Sequence, residues 1–229
     1  MNLALFDLDN TLIPVDSDHT WSEFLASIGV IDGEAHNRRN DDFYEQYKAG
    51  VLVIEEFLKF QLAPLAAHPR TELDAWHQRF MTQAITPNLH PAAHALVQQH
   101  QNAGDLCAIV TATNEFITRP IAHAFGIEHL LAIELEVVDG QFTGRHSGVP
   151  SFREGKITRT RQWLAGLGHK LEDFDQSWFY SDSINDLPLM ELVSNPVATN
   201  PDPKLAEIAS ARNWPVVNLF QNLGSGSGQ

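Results

Sequence analysis

The chain of 229 residues carries 15 Lys and Arg against 29 Asp and Glu, a formal charge of −14 at pH 7, with 43% hydrophobic and 19% charged residues. That balance supports a buried core and excludes a low-hydrophobicity disordered chain. A pI near 5.1, with no local basic patch, argues against nucleic acid or an anionic membrane surface as partner.

Taken in chain order, the first residues reach an acid at Asp7. They lack the basic start and apolar stretch of a signal peptide, and no apolar run reaches membrane-spanning length. The expectation is a cytoplasmic protein. Leu3-Ala4-Leu5-Phe6, directly before Asp7, has the form of a short buried parallel strand. Roughly a hundred residues separate it from the next such run, far more than an ordinary crossover, so an inserted unit is required. Within that stretch Trp21, Phe24, Leu25 and Ile28 keep a helical period. So do Phe43, Tyr44 and Tyr47; Ile54, Phe57, Leu58, Gln61 and Leu62; and Leu73, Trp76 and Phe80. Residues 16–86 therefore read as a helical domain.

The second strand is Ala108-Ile109-Val110 before Thr111, and a helix follows with Phe116, Ile117, Ile121 and Phe125 on one face, closed by Gly126. Cys107, the only cysteine, lies in the same apolar run, where it reads as a small buried hydrophobe in a reducing compartment. Leu135 to Gly144 alternates around Asp139-Gly140, a hairpin signal that predicts a small ribbon beside the main sheet. A helix through Ile157, Thr160, Trp163 and Leu164 precedes the third strand, Trp178-Phe179-Tyr180, which runs out towards Asp182. Val197-Ala198 and Val216-Val217 supply two more strands around a helix at Lys204 to Arg212. The pattern predicts an α/β fold: a doubly wound, mostly parallel, Rossmann-like sheet of about five strands with helices on both faces. The active site of such a sheet lies beyond the carboxyl ends of its strands. The GSGSGQ stretch at 224–229 reads as a flexible tail.

Three of the strands end where chemistry is available. Asp7-Leu8-Asp9-Asn10-Thr11 places two carboxylates at a strand end, where they offer hard oxygen ligands for a divalent cation and a carboxylate nucleophile for a phosphoryl group. The same acids also suit a plain strand-to-loop turn. Ser181-Asp182-Ser183-Ile184-Asn185-Asp186 straddles a turn with two more carboxylates, a Mg²⁺ site or a helix cap, or both. Thr111-Ala112-Thr113-Asn114 is a phosphate cradle at a strand-to-helix junction or an ordinary N-cap. Lys156, opening a helix after Gly155, is a point charge for phosphate or a solvated surface lysine. Their order, paired Asp, Thr, Lys, paired Asp, with three of the four at strand ends of one sheet, favours a joint catalytic reading over chance.

In that order, Phe6-Asp7-Leu8-Asp9-Asn10-Thr11-Leu12, Ile109-Val110-Thr111, Gly155-Lys156 and Ser181-Asp182 through Asn185-Asp186 resemble motifs I to IV of the haloacid dehalogenase-like (HAD) superfamily. The likeness extends to about residue 220. The helical insert is similar to the C1 cap of the subgroup, IB, that holds phosphoserine phosphatases. The resemblance implies a core at 1–15 and 87–223 and a cap at 16–86. It implies Asp7 as nucleophile, Asp9 as general acid and base, and Thr111, Ala112, Lys156 and Asn185 as substrate contacts. Asp7, Asp9 through its backbone carbonyl, Asp182 and Asp186 would hold or support Mg²⁺. Dehalogenases of the superfamily work without a metal and do not need the second motif I aspartate, so Asp9, Asp182 and Asp186 point to phosphoryl transfer.

Asn10 stands where phosphoserine phosphatases usually carry Gly or Ser, and no glutamate for a substrate ammonium is evident in Ile13 to His19. Asp16 and Asp18 are available to a cationic substrate such as histidinol phosphate, or belong to a hinge loop with a helix cap. The 11 His show no zinc spacing and read mostly as surface residues. Trp21 or Phe43 is a candidate pocket residue. Arg38-Arg39 is a candidate anion contact, with a solvated helix face as its ordinary reading. The expected activity is Mg²⁺-dependent hydrolysis of a small phosphorylated metabolite, histidinol phosphate or phosphoserine among them. The alternatives are a noncatalytic phosphometabolite-binding protein and a phosphotransferase of the same fold.

Overall fold

The computed structural model describes residues 1–220, and the expected tail at 224–229 lies outside the described residues. Strand β1 (Leu3–Phe6) is wholly buried, as its four apolar residues require of a strand covered on both faces. It lies at the centre of a seven-stranded sheet, paired in parallel with β2 (Leu106–Asn114) on one side and β5 (Ser177–Ser181) on the other. Beyond β2 come β3 (His129–Val138) and β4 (Gln141–Ser147); beyond β5 come β6 (Asn195–Thr199) and β7 (Val216–Val217). Every pairing is parallel except β3 with β4.

The count of seven exceeds the five expected, and the difference has one main source. The first half of β3 pairs with β2 (Ala108 with His129, Val110 with Leu131), whereas its second half pairs antiparallel with β4 (Leu135 with His146, Val138 with Gln141). The hairpin at Asp139-Gly140 is therefore the edge of the main sheet and not a ribbon beside it. Asp139 and Gly140 both have positive φ, 51° and 78°, as a tight primed turn demands.

Four helices follow β1: α1 (Ser17–Ser27), α2 (Gly33–Ala49), α3 (Ile54–Ala67) and α4 (Arg70–Phe80), the last running into a π-helical turn at Met81–Ile85. The sheet is then flanked by α5 (Pro91–Asn102), α6 (Glu115–Ala124), α7 (Glu154–Gly166), the short α8 (Leu187–Met190) and α9 (Pro203–Arg212). Alternation along β1 splits the core in two. Leu3 and Leu5 join Val110, Leu164, Phe179 and Leu205 on one face. Ala4 and Phe6 join Ile109, Ile117 and Tyr180 on the other, and that cluster runs on through Trp21, Leu62 and Phe80 of the inserted helices. Among the described residues no helix is long and apolar enough to cross a membrane.

Candidate active site

The register of the central strands fixes where the chemistry lies. Phe6 is level with Ile109 of β2 and Tyr180 of β5, so Asp7, Thr111 and Asp182 emerge together at the carboxyl ends of three adjacent strands. Here the chain order reverses, from β1 outward to β2 and back across to β5, the crevice where doubly wound sheets bind ligands. A cavity of about 490 Å³ opens there, lined by Asp7, Asp9, Thr111, Ala112, Lys156, Asp182, Asn185 and Asp186 together with residues of α1 to α3. Every motif residue expected to act in catalysis, substrate binding or metal binding is thus at one cavity. A second cavity of about 550 Å³, among Arg70, His77, Phe116 and Arg119, contains none of them.

Lys156 links the first and last acidic motifs. Its Nζ donates to Asp7 Oδ1 at 2.8 Å and to Asp186 Oδ2 at 2.7 Å, and the lysine is only 3% exposed. Burial works against its charge, yet the carboxylates of Asp186 and Asp7 outweigh it and hold the ammonium above its ordinary range. Gly155 makes this placement possible: a Cβ there would lie 2.0 Å from the Pro150 carbonyl oxygen, so only glycine lets α7 start against that loop. Asp186 Oδ2 also accepts from Ser181 Oγ at 2.7 Å.

Asp9 stands differently. After Leu8 the chain turns sharply, with the Leu8 carbonyl accepting from the amides of Thr11, Leu12 and Ile13. Asn10 sits in the left-handed region at φ 57°, which Asn tolerates better than most residues. Asp9 Oδ1 then accepts from the Ser17 amide at 2.8 Å, and Oδ2 from Thr113 Oγ1 at 2.8 Å and Thr111 Oγ1 at 3.4 Å. The threonines reach it because the β2–β3 register breaks between Val110 and Asn114, a bulge that re-aims side chains at the sheet edge. Asn114 caps α6 by accepting from Ile117 N. Burial, and then repulsion from Asp16, raises Asp9 to about 6; hydrogen bonds from Ser17 and Thr113 oppose the rise.

Thr11, quoted in the first motif but assigned no role of its own, joins that motif to the fourth. Its hydroxyl lies 3.3 Å from Asp7 Oδ2 and 3.1 Å from Asp182 Oδ1, and accepts from the Asp182 amide at 3.0 Å. Burial pushes Asp7 up to about 7 against the pull of Lys156. Burial and repulsion from Asp7 and Asp186 hold Asp182 well above the usual carboxylate range. Among the described residues no three His, Cys, Asp or Glu side chains form a ready-made metal cage. The donor set nevertheless fits Mg²⁺, which takes one or two carboxylates and completes its shell with water and phosphate oxygens. Asp7 and Asp182 share Thr11, and one lysine leaves their buried negative charge undercompensated. The carboxylate of Asp9, by contrast, is turned towards Ser17 and Thr113.

Asn185 lines the cavity, but its amide is committed to the protein. Its Oδ1 accepts from Arg153 Nε at 3.1 Å, and its Nδ2 donates to the Tyr47 carbonyl at 3.3 Å and Ser183 Oγ at 3.4 Å. Arg153 also donates to the Gly50 carbonyl, Lys204 Nζ to the Lys48 carbonyl at 2.8 Å, and Tyr47 Oη to Ser183 Oγ at 2.9 Å. The last carbonyls of α2 are therefore closed by Asn185, Lys204 and Arg153 of the sheet side, two of them cations matched to the negative helix end. Sequence reasoning passed over Arg153, and its one local signal is its position immediately before the Gly155-Lys156 pair.

Phe43 lines the cavity, whereas Trp21 packs among Phe24, His77, Phe80 and Phe116. Arg38 and Arg39 pair with Glu34 and Asp42 on the exposed face of α2, the solvated reading. Three histidines depart from the surface expectation: His36, His77 and His100 are buried, and His100 joins Asp105 at 2.7 Å and Tyr180 Oη at 2.9 Å.

Comparison with known proteins follows the same geometry. A model of the haloacid dehalogenase-like hydrolase family matches residues 4–191. A protein from Neisseria meningitidis serogroup C (strain 8013) named histidinol-phosphatase is 49% identical over 219 residues, covering 95% of this chain and 99% of its own. A crystal structure of a protein of unknown function from Bordetella pertussis Tohama I superposes with a TM-score of 0.91 at 55% identity, over 96% of this chain and 99% of that one. A substrate-bound phosphoserine phosphatase shares the fold, with a TM-score of 0.67 at 20% identity over 94% of this chain and 91% of that one.

Proposed function

The chain belongs to the haloacid dehalogenase-like hydrolase family, and from that premise we propose that it is a Mg²⁺-dependent phosphatase of a small phosphomonoester, acting through an aspartyl-phosphate. The observation that carries this reading is the division of labour between two aspartates of one motif. Asp7 lies against a buried ammonium at 2.8 Å, while Asp9 is held by a backbone amide and two threonine hydroxyls.

In the proposed cycle a carboxylate oxygen of Asp7 attacks phosphorus and the bond from phosphorus to the ester oxygen breaks. Asp9 gives its proton to the departing alkoxide, so the alcohol leaves neutral. Asp9, now ionised, takes a proton from water, whose oxygen attacks the aspartyl-phosphate; inorganic phosphate leaves and Asp7 is restored. A carboxyl with a value near 6 suits both halves of this exchange near neutral pH. Lys156 keeps Asp7 oriented and, with the Thr111 to Thr113 bulge, offsets charge on the phosphoryl oxygens. Asp7 and Asp182 would hold Mg²⁺, which when bound neutralises phosphoryl oxygens and favours the ionised form of Asp7. Asp186 fixes Lys156, and Asn185 acts by joining the sheet side to α2. The helices at 16–86 serve as a cap that encloses the reacting groups.

The relative named histidinol-phosphatase, at 49% identity, makes histidinol phosphate the first substrate to test. The test is release of inorganic phosphate from histidinol phosphate, phosphoserine and other phosphorylated metabolites, with Mg²⁺ or EDTA and with Asp7→Asn as control. Metal-dependent turnover lost in the variant is the expected result. Transfer to an added alcohol in place of water would establish a phosphotransferase, and binding without turnover of any ester would overturn the hydrolase.

A further inference from the structure

The second cavity, of about 550 Å³, is built by α4, α6 and the hairpin of β3 and β4, and the reaction uses none of its residues. Between Thr113 and Glu115 the chain passes from one cavity to the other: Thr113 donates to Asp9, Asn114 caps α6, and Glu115 lines the second space. The two differ in charge. Eight aspartates, Asp16 and Asp18 among them, line the catalytic cavity against Lys48 and Lys156. The second holds Arg70 and Arg119 against Asp74 and Glu115. On a chain of net charge −14, the anionic end of a small molecule meets less repulsion there.

Both arginines are held in place without being saturated. Arg70 Nε donates to Asp74 Oδ1 at 2.8 Å, and its guanidinium lies over the rings of Phe142 at 4.5 Å and Phe116 at 5.4 Å. Its terminal nitrogens have no acceptor among the described residues. Arg119 makes one hydrogen bond, from Nη2 to Glu115 Oε2 at 3.3 Å. A guanidinium offers five N–H donors in a planar fork that matches a carboxylate, so α4 and α6 each bring spare donors to the cavity. Acceptors stand beside them. His77, 5% exposed, is bonded through Nε2 to the Ile117 carbonyl at 3.1 Å. A carbonyl only accepts, so the proton is on Nε2. Burial holds the ring below the ordinary histidine range, which keeps it neutral near pH 7 and leaves Nδ1 an acceptor with no donor among the described residues. A buried acceptor of this kind calls for a donor. Spare donors next to acceptors, over an apolar lining of Phe116, Phe142 and Val137, are the complement of a carboxylate carried beside an ammonium.

We propose that this cavity is a second binding site, separate from the catalytic one, and that it takes a free α-amino acid with an apolar or aromatic side chain. The carboxylate goes to Arg70 and Arg119, the ammonium to Asp74 and His77 Nδ1, and the side chain to the apolar lining. A simple anion is disfavoured because Asp74 and Glu115 lie against the same guanidinium groups, and a simple cation because the arginines cannot lose their charge. The site stands independently of the phosphatase reading, since none of these residues takes part in the proposed reaction.

The test is calorimetry on the full chain at pH 7 with phenylalanine, with 3-phenylpropanoate, which lacks the ammonium, and with 2-phenylethylamine, which lacks the carboxylate. Phenylalanine should bind, and each analogue should bind more weakly by about tenfold or more, a hydrogen-bonded charge contact being lost. Two variants locate the ligand. Arg119→Gln removes one donor fork and should weaken phenylalanine by about tenfold or more. Val137→Trp fills the cavity from a strand position that is 48% exposed and should abolish binding. Melting temperature and phosphate release should be unchanged in both, because neither residue lines the catalytic cavity. The analogue ratios are read on the wild-type chain, so they decide the ligand class whatever the variants do. No binding of phenylalanine at millimolar concentration, or an analogue that bound as tightly, would overturn the proposal. Binding unchanged in both variants would overturn it as well, by placing the ligand elsewhere.

Discussion

Arg153 Nε donates to Asn185 Oδ1 at 3.1 Å while the far end of the same guanidinium donates to the Gly50 carbonyl at the end of α2. One side chain therefore ties the β5 loop to the inserted helices. It does so from a backbone at φ 49° and ψ −120°, a conformation that a bulky residue holds only when its surroundings enforce it. Replacement by glycine separates the tie from the strain. Arg153→Gly removes a backbone penalty of ~1 to 3 kcal/mol, so its unfolding midpoint should match or exceed the wild type. Its KM should nevertheless rise by about tenfold, one or two charge-assisted hydrogen bonds being lost. Limited proteolysis should cut faster between α2 and α3. A variant with unchanged KM and proteolysis would refute the tie.

Asp7→Asn preserves shape and removes the nucleophile. Turnover should fall by at least about a thousandfold, in the range seen when a covalent nucleophile is removed. An acid-quenched reaction with radiolabelled phosphate ester should leave label on the wild-type protein and none on Asp7→Asn. Label that persisted in the variant would place the phosphoryl group elsewhere.

The strand ends at Asp7, Thr111 and Asp182 are legible in the sequence because each follows an apolar run that has to be buried, and a parallel sheet aligns such ends by register. The four helical periods between residues 21 and 80 are legible for a similar reason: Trp21, Leu62 and Phe80 need a core, and they share one with Phe6. What is not legible depends on distant partners. The first half of β3 hides behind the stronger hairpin signal at Asp139-Gly140, since no local pattern tells that one strand changes partners midway. Arg153 reads as a loop cation until Asn185 and Gly50 are brought to it from 32 and 103 residues away. The position of Asn185 is legible, but its commitment to Arg153 and Tyr47 is not, because amide orientation is set by the neighbours that folding supplies.

The raised values of Asp7 and Asp9 make stability fall as pH rises. In the unfolded chain both carboxyls release their protons near 3.8, whereas in the folded chain they hold them to about 7 and about 6. Between those limits the native state binds more protons than the unfolded one, so the slope of unfolding free energy against pH is negative. In EDTA the melting temperature should therefore decline from pH 5 to pH 8. Mg²⁺ binds the ionised carboxylates, so the stabilisation it adds should grow over the same range. Scanning fluorimetry at matched ionic strength reads both trends, and a melting temperature in EDTA that climbed towards pH 8 would contradict the burial of these two acids.

Gly155 and Gly166 stand at opposite ends of α7 and should respond to alanine with opposite signs. At Gly155 the new methyl would lie 2.0 Å from the Pro150 carbonyl oxygen and 3.2 Å from its carbon, so the start of the helix has to move. Lys156 is the next residue, and its 2.8 Å and 2.7 Å contacts to Asp7 and Asp186 leave little room for displacement. Gly155→Ala should cost ~1 to 3 kcal/mol of stability, as overpacking does, and should lower kcat more than it raises KM, because the misplaced group orients the nucleophile. At Gly166 nothing lies within 4 Å of an added Cβ. Gly166→Ala should then stabilise by ~0.4 to 1 kcal/mol through the unfolded state and leave turnover unchanged. Urea unfolding and steady-state kinetics on the pair decide the matter. Equal effects at the two positions would mean that the contact with Pro150 does not govern where Lys156 is held.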